Sequence, residues 1–520
     1  MTDFAATINA AYATEGAAID LGRGVHDGEL VREAEVKIPL ATMNRHGLVA
    51  GATGTGKTKT LQVITEQLSR AGVPVLVADV KGDVSGVAVP AEAGGAGEKR
   101  MADLGLPFTP EAFPVQFLSL GGIGPGVPVR ATVTDFGPQL LGKVLGANET
   151  QEASLALVFH YADGKGLPLL DLADLRALLT FLDSDAGKPE LDGIGGLSSA
   201  TVGVLLRSLV GLETGGGTEF FGEPQLDVAD LMTVAPDGRG VVSCMELVAV
   251  QDKPRLWSTA LMWLIAELFE TLPEAGDLPA PKLVVFLDEA HLLFDEATDA
   301  FLDSLARTVR LIRSKGVGVF FVTQQPTDLS EEVLAQLGLR IQHALRAFTP
   351  SDAKKLRATV STYPRSELYD VETLLTSVGT GEAAVTLLSE KGVPTPVVHT
   401  RMVGPASSME PAPDVDAAAK ASPLWAKYGE RIDAPSAHEI LAGRMAGPEP
   451  VPAGRAPAEP DLRSPMDHVP VPRKPAESRR APAPGGTGAG AIGDFLRSRE
   501  GKALQRKVTR GIFGMLRKRL

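Results

Sequence analysis

The chain has 520 residues, more than one compact core usually holds, so one large domain with insertions or two to three smaller domains are expected. Lys and Arg total 51 against 64 Asp and Glu, a net charge of −13. This excludes a protein that coats nucleic acid by bulk positive charge and confines any contact with phosphates to local sites. A single cysteine, Cys244, excludes an internal disulfide and a cysteine-rich zinc site, and the eight histidines are scattered without a His-Glu-x-x-His pattern, so a cytoplasmic protein without structural zinc is expected.

Met1 to Tyr12 lacks the basic start and apolar run of a secretion signal, and the most apolar windows, such as Ala260 to Phe269 with its Glu267, fall short of a membrane span. From there short β-branched runs alternate with helical patterns, which predicts an α/β fold with a parallel-rich sheet. Strands are expected at Gly47 to Ala50, Val73 to Asp79, Gly240 to Met245, Lys282 to Leu287, Gly316 to Thr323, Arg340 to Phe348, Ala383 to Leu388 and Val397 to Arg401. Several are almost wholly apolar, as strands buried on both faces should be. Between about 136 and 235 the spacing of Leu140, Leu141 and Val144, then Leu155 and Val158, then Leu175, Leu178 and Leu182, then Leu205 and Leu209 predicts a large helical insertion. Cys244, Trp257 and Trp263 read as packing residues.

The strongest chemical signal is Gly51-Ala52-Thr53-Gly54-Thr55-Gly56-Lys57-Thr58, followed by Lys59, which fits G-x-x-x-x-G-K-[ST] between an expected strand and an expected helix. Glycines let successive N–H groups turn towards phosphate oxygens, Lys57 reaches the β- and γ-phosphates, and the Thr58 hydroxyl suits Mg²⁺. ATP and Mg²⁺ are the expected ligands. A phosphate loop needs acidic groups at a neighbouring strand end, and Lys282 to Leu287 runs into Asp288-Glu289. Asp288 is expected to hold Mg²⁺, and Glu289 to orient and deprotonate the attacking water. Gln324, after Val317 to Thr323, is the candidate sensor of the γ-phosphate. The charged turn Asp79-Val80-Lys81-Gly82-Asp83 is read either as a solvated loop held by its own ion pair or as part of the catalytic apparatus.

This series, Arg45 to Thr58, Asp79 to Asp83, the helical insertion, Leu287 to His291 and Val322 to Pro326, resembles the HerA/FtsK superfamily and, within it, the bacterial HerA-like helicase-domain proteins of the YjgR-like family. The likeness covers most of residues 20 to 404, and Phe495 to Arg506 and Arg510 to Phe513 are similar to that family's tail. The resemblance implies a RecA-like P-loop NTPase core, a homo-oligomeric ring that is hexameric in one form, nucleotide sites between neighbours, and DNA as a candidate partner for translocation or helicase activity. HerA proper is similar only from about Leu21, because its N-terminal β-barrel, linked in that family to partner docking and ring assembly, has no counterpart before the loop. The hexamer and a nuclease partner are therefore left open by the resemblance. Asp288 to His291 also spells the DEAH of RNA helicases, but Ser199-Ala200-Thr201 lies upstream of it and no arginine-rich late motif follows. Ring ATPases commonly complete the site with an arginine in trans, and of Arg310, Arg313, Arg340 and Arg346 the candidates taken are Arg346 and Arg313.

The ATPase domain is expected to span 1–404. Residues 405–490 read as a mostly disordered Pro/Ala/Gly-rich linker, since 11 of the 38 prolines fall between Pro448 and Pro484, with a short helix at Ser436 to Met445. Residues 491–520 then read as a basic amphipathic helix. From 492 they hold nine basic and two acidic side chains, a local +7 that leaves −13 − 7 = −20 for the remainder. Its expected target is its own or a neighbouring subunit, with nucleic acid and an anionic membrane as the other options. For the whole protein two readings stand: an ATP-driven DNA translocase or helicase, and an ATP-gated regulatory or scaffold ATPase that moves no nucleic acid.

Overall fold

A computed structural model describes residues 2–276, 278–294 and 299–445, which fall within one compact unit spanning Met1–Glu449. The proline cluster and the basic tail, with its expected docking, lie outside the described residues. A twelve-stranded sheet organises the unit in the order β2-β1-β12-β11-β10-β3-β9-β8-β4-β7-β5-β6. The strands are β1 (Ala18–His26), β2 (Glu29–Pro39), β3 (Gly47–Ala50), β4 (Val75–Asp79), β5 (Val115–Leu120), β6 (Val127–Val129), β7 (Val242–Glu246), β8 (Leu283–Leu287), β9 (Val317–Thr323), β10 (Leu339–Gln342), β11 (Glu382–Leu387) and β12 (Val398–Met402). From β10 to β6 neighbouring strands run parallel, and β11, β12, β1 and β2 extend the sheet antiparallel.

Alternate side chains of each central strand enter opposite layers. Leu48, Leu76, Val285 and Val319 join a core shared with the insertion helices Val133–Leu145, Glu149–Lys165, Leu172–Asp183 and Ser199–Leu212 and with the helix Pro254–Thr271. Val49, Val75, Val77, Phe286 and Phe320 face the other way, against Leu61, Ile64 and Leu68 of the helix Lys57–Arg70. Burying each such Leu, Val or Phe contributes roughly 1.5–3 kcal/mol, so the strand-plus-helix patterning is enough to fix both layers. No helix among the described residues is long and apolar enough to cross a membrane.

Four strands escaped the sequence reading. β5 and β6 sit at one edge of the sheet, while β1 and β2 form a hairpin whose mixed polar sequence follows a half-covered sheet face. The edge of β2 is blunted by Asn9, whose amide donates to the Glu33 carbonyl at 2.8 Å and accepts the Glu35 N–H at 2.9 Å. That occupies backbone groups an edge strand would otherwise present to another chain. The strand expected to run from Arg340 to Phe348 ends at Gln342.

The expected linker does not begin at 405. Ala406 and Ser407 donate their N–H groups to the buried Glu66 carboxylate at 2.8 and 2.9 Å, and Gln62 donates to the Ser408 carbonyl at 2.7 Å. Helices follow at Val415–Ala421, Pro423–Tyr428 and Ala437–Met445. Tyr428 and Leu441 are buried in the insertion-side core, and the Ala437 N–H reaches the Pro168 carbonyl at 2.9 Å. Alanine and proline content concealed these contacts because each rests on one or two anchoring side chains rather than on a periodic apolar stripe. The short helix expected from Ser436 is present as Ala437–Met445, with Glu439 accepting from the Ser436 N–H at 2.9 Å as a capping pair. Replacing Glu66 with leucine leaves two buried N–H groups and the Ser407 hydroxyl without an acceptor, so stability should fall by about 2–4 kcal/mol. Hydrogen exchange should show protection lost first over 405–410.

Candidate functional site

β3 runs straight into the phosphate loop, and the loop is pinned to the strands on either side of it. Gly51 N–H donates to the Thr323 carbonyl of β9 at 3.2 Å, and Ala52 N–H to the Ala344 carbonyl beyond β10 at 2.8 Å. Gly51 has φ +152, and a Cβ there would sit 2.5 Å from the Cβ of His343, so this turn admits only glycine. Gly56, at φ +113, precedes the helix Lys57–Arg70, whose first N–H groups open into the loop. Thr53 and Gly54 are exposed, while Thr55 is buried and fastened by Oγ1 to the Ala52 carbonyl at 2.7 Å. The buried Lys57 ammonium folds back onto the Gly51 and Ala52 carbonyls at 2.7 and 3.3 Å. It therefore already lies across the mouth of the loop, with burial lowering its pKa against the pull of Glu289. Thr58 is half-buried in the first helical turn. Lys59 differs from expectation in its side chain, which donates to the Met409 carbonyl at 2.6 Å and anchors the 405–410 segment, leaving only its backbone N–H for the loop.

Asp288 and Glu289 follow β8, two strands from β3. Asp288 N–H donates to the Ala78 carbonyl of β4 at 3.2 Å, while its buried Oδ2 has no partner. Burial, with the charges of Glu289 and Asp79 adding to it, pushes the Asp288 carboxyl up to about 7. Glu289 occupies the left-handed region at φ +45, an uncommon backbone for a non-glycine residue. Burial raises its pKa, but a salt bridge from Lys81 outweighs that and holds it below the usual carboxylate range. His291 Nδ1 lies 3.2 Å from the other Glu289 oxygen. The turn after β4 thus joins the site. Asp79 is buried and closes its own turn by accepting the N–H groups of Lys81, Gly82 and Val84 at 3.2, 2.8 and 2.7 Å, which aims Lys81 at Glu289. At the end of β7, burial and Asp79 push Glu246 up to about 7, and Cys244 Sγ is 3.3 Å from Glu246 Oε1.

A loop of inward N–H groups beside an unpartnered, proton-holding carboxyl fits a nucleotide phosphate with a hard divalent cation. The cation would take Asp288 Oδ2 and the Thr58 hydroxyl as ligands and displace the proton that burial now retains.

The other candidates differ in position. Gln324 is exposed at the end of β9, next to the loop, because Thr323 and Gln325 are tied to Asp328 at 2.8 and 2.9 Å. Arg346 is exposed beyond the end of β10, on the same edge of the sheet, and not within a strand. Arg313 is exposed at the start of β9, at the opposite edge, a strand length or roughly 20 Å away. Within one chain, therefore, only Gln324 and Arg346 share the loop's edge.

Matching against known proteins settles the family. The sequence profile described as "Helicase HerA-like C-terminal" matches residues 26–519. The chain belongs to that HerA-like family. A DNA double-strand break repair helicase HerA of Sulfolobus acidocaldarius is 23% identical over 369 residues, covering 69% of this chain and 66% of that protein. The HerA-like chain thus spans just under two thirds of that relative's length. Two solved structures share its P-loop ATPase fold at a TM-score of 0.50. The bacterial conjugative coupling protein TrwB in its unbound form is 14% identical over 78% of this chain and 95% of its own. The plasmid coupling protein TrwB in complex with ADP and Mg²⁺ is 15% identical over 76% and 97%.

Sequence reasoning missed His343. Its N–H donates to the Ala50 carbonyl at 2.7 Å, and burial lowers its pKa to about 4, so the ring is neutral. Nδ1 lies 2.8 Å from the Glu382 carbonyl and must donate, which leaves Nε2 to accept from Thr60 Oγ1 at 2.9 Å. The turn before β11 buttresses the loop from outside, with Gly381 N–H donating to the Thr55 carbonyl at 2.9 Å. Glu382 anchors that turn. A hydrogen bond from His399, burial opposing it, and Arg401 together lower its carboxyl from about 4.5 to about 2. A depressed carboxylate stabilises the fold above its unfolded pKa, and that contribution is lost as pH falls from about 4.5 to about 2. Glu382→Gln should therefore cost about 1–2 kcal/mol at neutral pH after solvent screening. Thermal unfolding should show the gap from the parent chain narrowing through that acid window.

Proposed function

We propose that this HerA-like chain hydrolyses ATP with Mg²⁺ and, as a cytoplasmic homo-oligomer, couples hydrolysis to movement along DNA. The observation that carries the hydrolysis is the meeting, at one sheet edge, of a lysine-bearing phosphate loop with a carboxyl pair of which one member is buried without a partner at Oδ2 and the other is salt-bridged to Lys81. Asp288 is kept protonated up to about 7, while Glu289 is kept ionised by Lys81. One group suits a cation that displaces its proton, and the other is a ready acceptor of a proton from water.

The loop N–H groups of Thr53, Gly54 and Gly56 to Lys59 bind the α- and β-phosphates, those of Gly51, Ala52 and Thr55 being held within the protein, with Lys57 moving from the Gly51 carbonyl to the β- and γ-oxygens. Thr58 and Asp288 would hold Mg²⁺, which would supply charge neutralisation at the phosphate oxygens. Glu289 orients the attacking water and accepts its proton, and Lys81, paired with the same carboxylate, fixes where that oxygen points. Gln324, exposed beside the loop, reports the γ-phosphate. An arginine of a neighbouring subunit meets the charge that develops on it. Arg346 and Arg313 suit that role, being exposed and held in no salt bridge among the described residues.

Movement along DNA draws its support from the family, since the Sulfolobus acidocaldarius relative is a DNA repair helicase. In a malachite-green assay Lys57→Ala should abolish hydrolysis. Glu289→Gln should keep ATP binding while turnover falls by about 10²–10⁴-fold, the usual contribution of a positioned base. Near-normal turnover in Glu289→Gln would remove Glu289 from the role of base. DNA should raise the hydrolysis rate of the parent chain at low salt, and an unchanged rate with single- and double-stranded DNA would favour an ATP-gated scaffold instead.

A further inference from the structure

Net charge of −13 confines phosphate contacts to local sites, and one exposed segment satisfies that condition beside the nucleotide loop. Residues 347–366 carry four basic side chains and one acidic one, 4 − 1 = +3. The acidic residue, Asp352, turns inward and is spent on the start of the helix Pro350–Val360, where it accepts the N–H groups of Phe348 and Thr349 at 3.1 and 2.9 Å. Leu356 and Thr359 are buried on the inner face of that helix, which leaves Lys354, Lys355 and Arg357 on its outer face, with Arg365 exposed after it. None of these four cations is in a salt bridge among the described residues. Ahead of the helix Phe348 is 85% exposed, whereas no other exposed large apolar side chain described passes 61%. The segment is tied to β10, for Arg340 donates to the Thr362 carbonyl at 2.8 Å. It also starts from the Ala344 carbonyl that accepts the Ala52 N–H of the phosphate loop.

An exposed aromatic face next to unpaired cations is the combination that single-stranded nucleic acid selects, with bases stacking on the ring and phosphates tracking the cations. A neighbouring copy of this acidic chain would also meet the cations and cover the phenylalanine, and the sedimentation of the variants separates that occupant from a strand. We propose that the face formed by Phe348, Lys354, Lys355, Arg357 and Arg365 is a single-strand nucleic-acid contact, joined to the nucleotide site through residues 343–349. The proposal rests on the DNA-coupled reading above and locates where the strand is held. Ala344, whose carbonyl accepts the loop's Ala52 N–H, lies four residues from Phe348, which gives nucleotide state a short path to the strand.

The test is fluorescence anisotropy of the full chain with a labelled oligothymidylate and a labelled duplex, each of about 30 nucleotides or base pairs, across a salt series. Lys354→Glu/Lys355→Glu should weaken binding of the oligothymidylate about 10-fold or more and flatten the plot of log affinity against log salt by roughly one unit. Phe348→Ala should weaken it about 5-fold or more and affect the duplex less. DNA-free ATP hydrolysis and sedimentation should stay as in the parent. Parent-like binding by both variants overturns the proposal but leaves the DNA-coupled reading standing, whereas a parent chain that binds neither oligonucleotide sinks both. Loss confined to Arg517→Gln/Lys518→Gln/Arg519→Gln assigns the contact to the tail instead. Altered sedimentation, with affinity falling only as the assembly dissociates, makes the face an interface between copies.

Discussion

Four carboxyl groups, Asp79, Glu246, Asp288 and Glu289, are buried at the carboxyl ends of β4, β7 and β8, and the arrangement around them follows from how that negative charge is managed. Charges of one sign in a poorly solvated space cannot all be ionised. Burial raises the Asp79 carboxyl, with three N–H groups of its own turn opposing the shift. Glu246 and Asp288 respond by holding protons to about 7, and Glu289 alone receives a full counter-charge, from Lys81. The result is a graded set of acids next to a lysine-bearing loop, which in the proposed reading divides cation binding and water activation between adjacent side chains.

That grading depends on the parallel sheet. Parallel strands deliver their carboxyl ends to one edge, and it is at this edge that loops from β3, β4, β7, β8, β9 and β10 can face one ligand. The supports are indirect: His343 and Gly381 grip the phosphate loop from the β10 and β11 side, and Glu66, Gln62 and Lys59 bind the 405–410 segment across the helix that follows it. The loop is thereby fixed at both ends and along one flank, while Thr53 and Gly54 remain open to solvent.

Much of this was legible in the sequence wherever one residue type has one physical use. Gly51, Gly56, Lys57 and the Asp288-Glu289 pair could be placed together at one sheet edge because the strand before them is apolar on both faces and the loop pattern is demanding. Seven of the eight expected strands agree to within about two residues, for the same reason. What escaped notice rests on long-range contacts with no local signature. β1 and β2 are polar on one face and resemble a surface loop. Residues 405–445 hold to the body by single side chains such as Tyr428 and Glu66. Lys81 could be read as a partner of its own turn until Glu289, more than two hundred residues later in sequence, was seen to claim it.

The most direct test of the account is the Lys81→Met substitution, with turnover and nucleotide affinity measured separately, the latter with a fluorescent ATP analogue. If Lys81 acts by holding Glu289 ionised and aimed, kcat should fall by about 10-fold or more while the Kd for the analogue stays within about 3-fold. Weakened analogue binding with unchanged turnover at saturation would contradict it, placing Lys81 on the phosphates and leaving Glu289 without its partner's help.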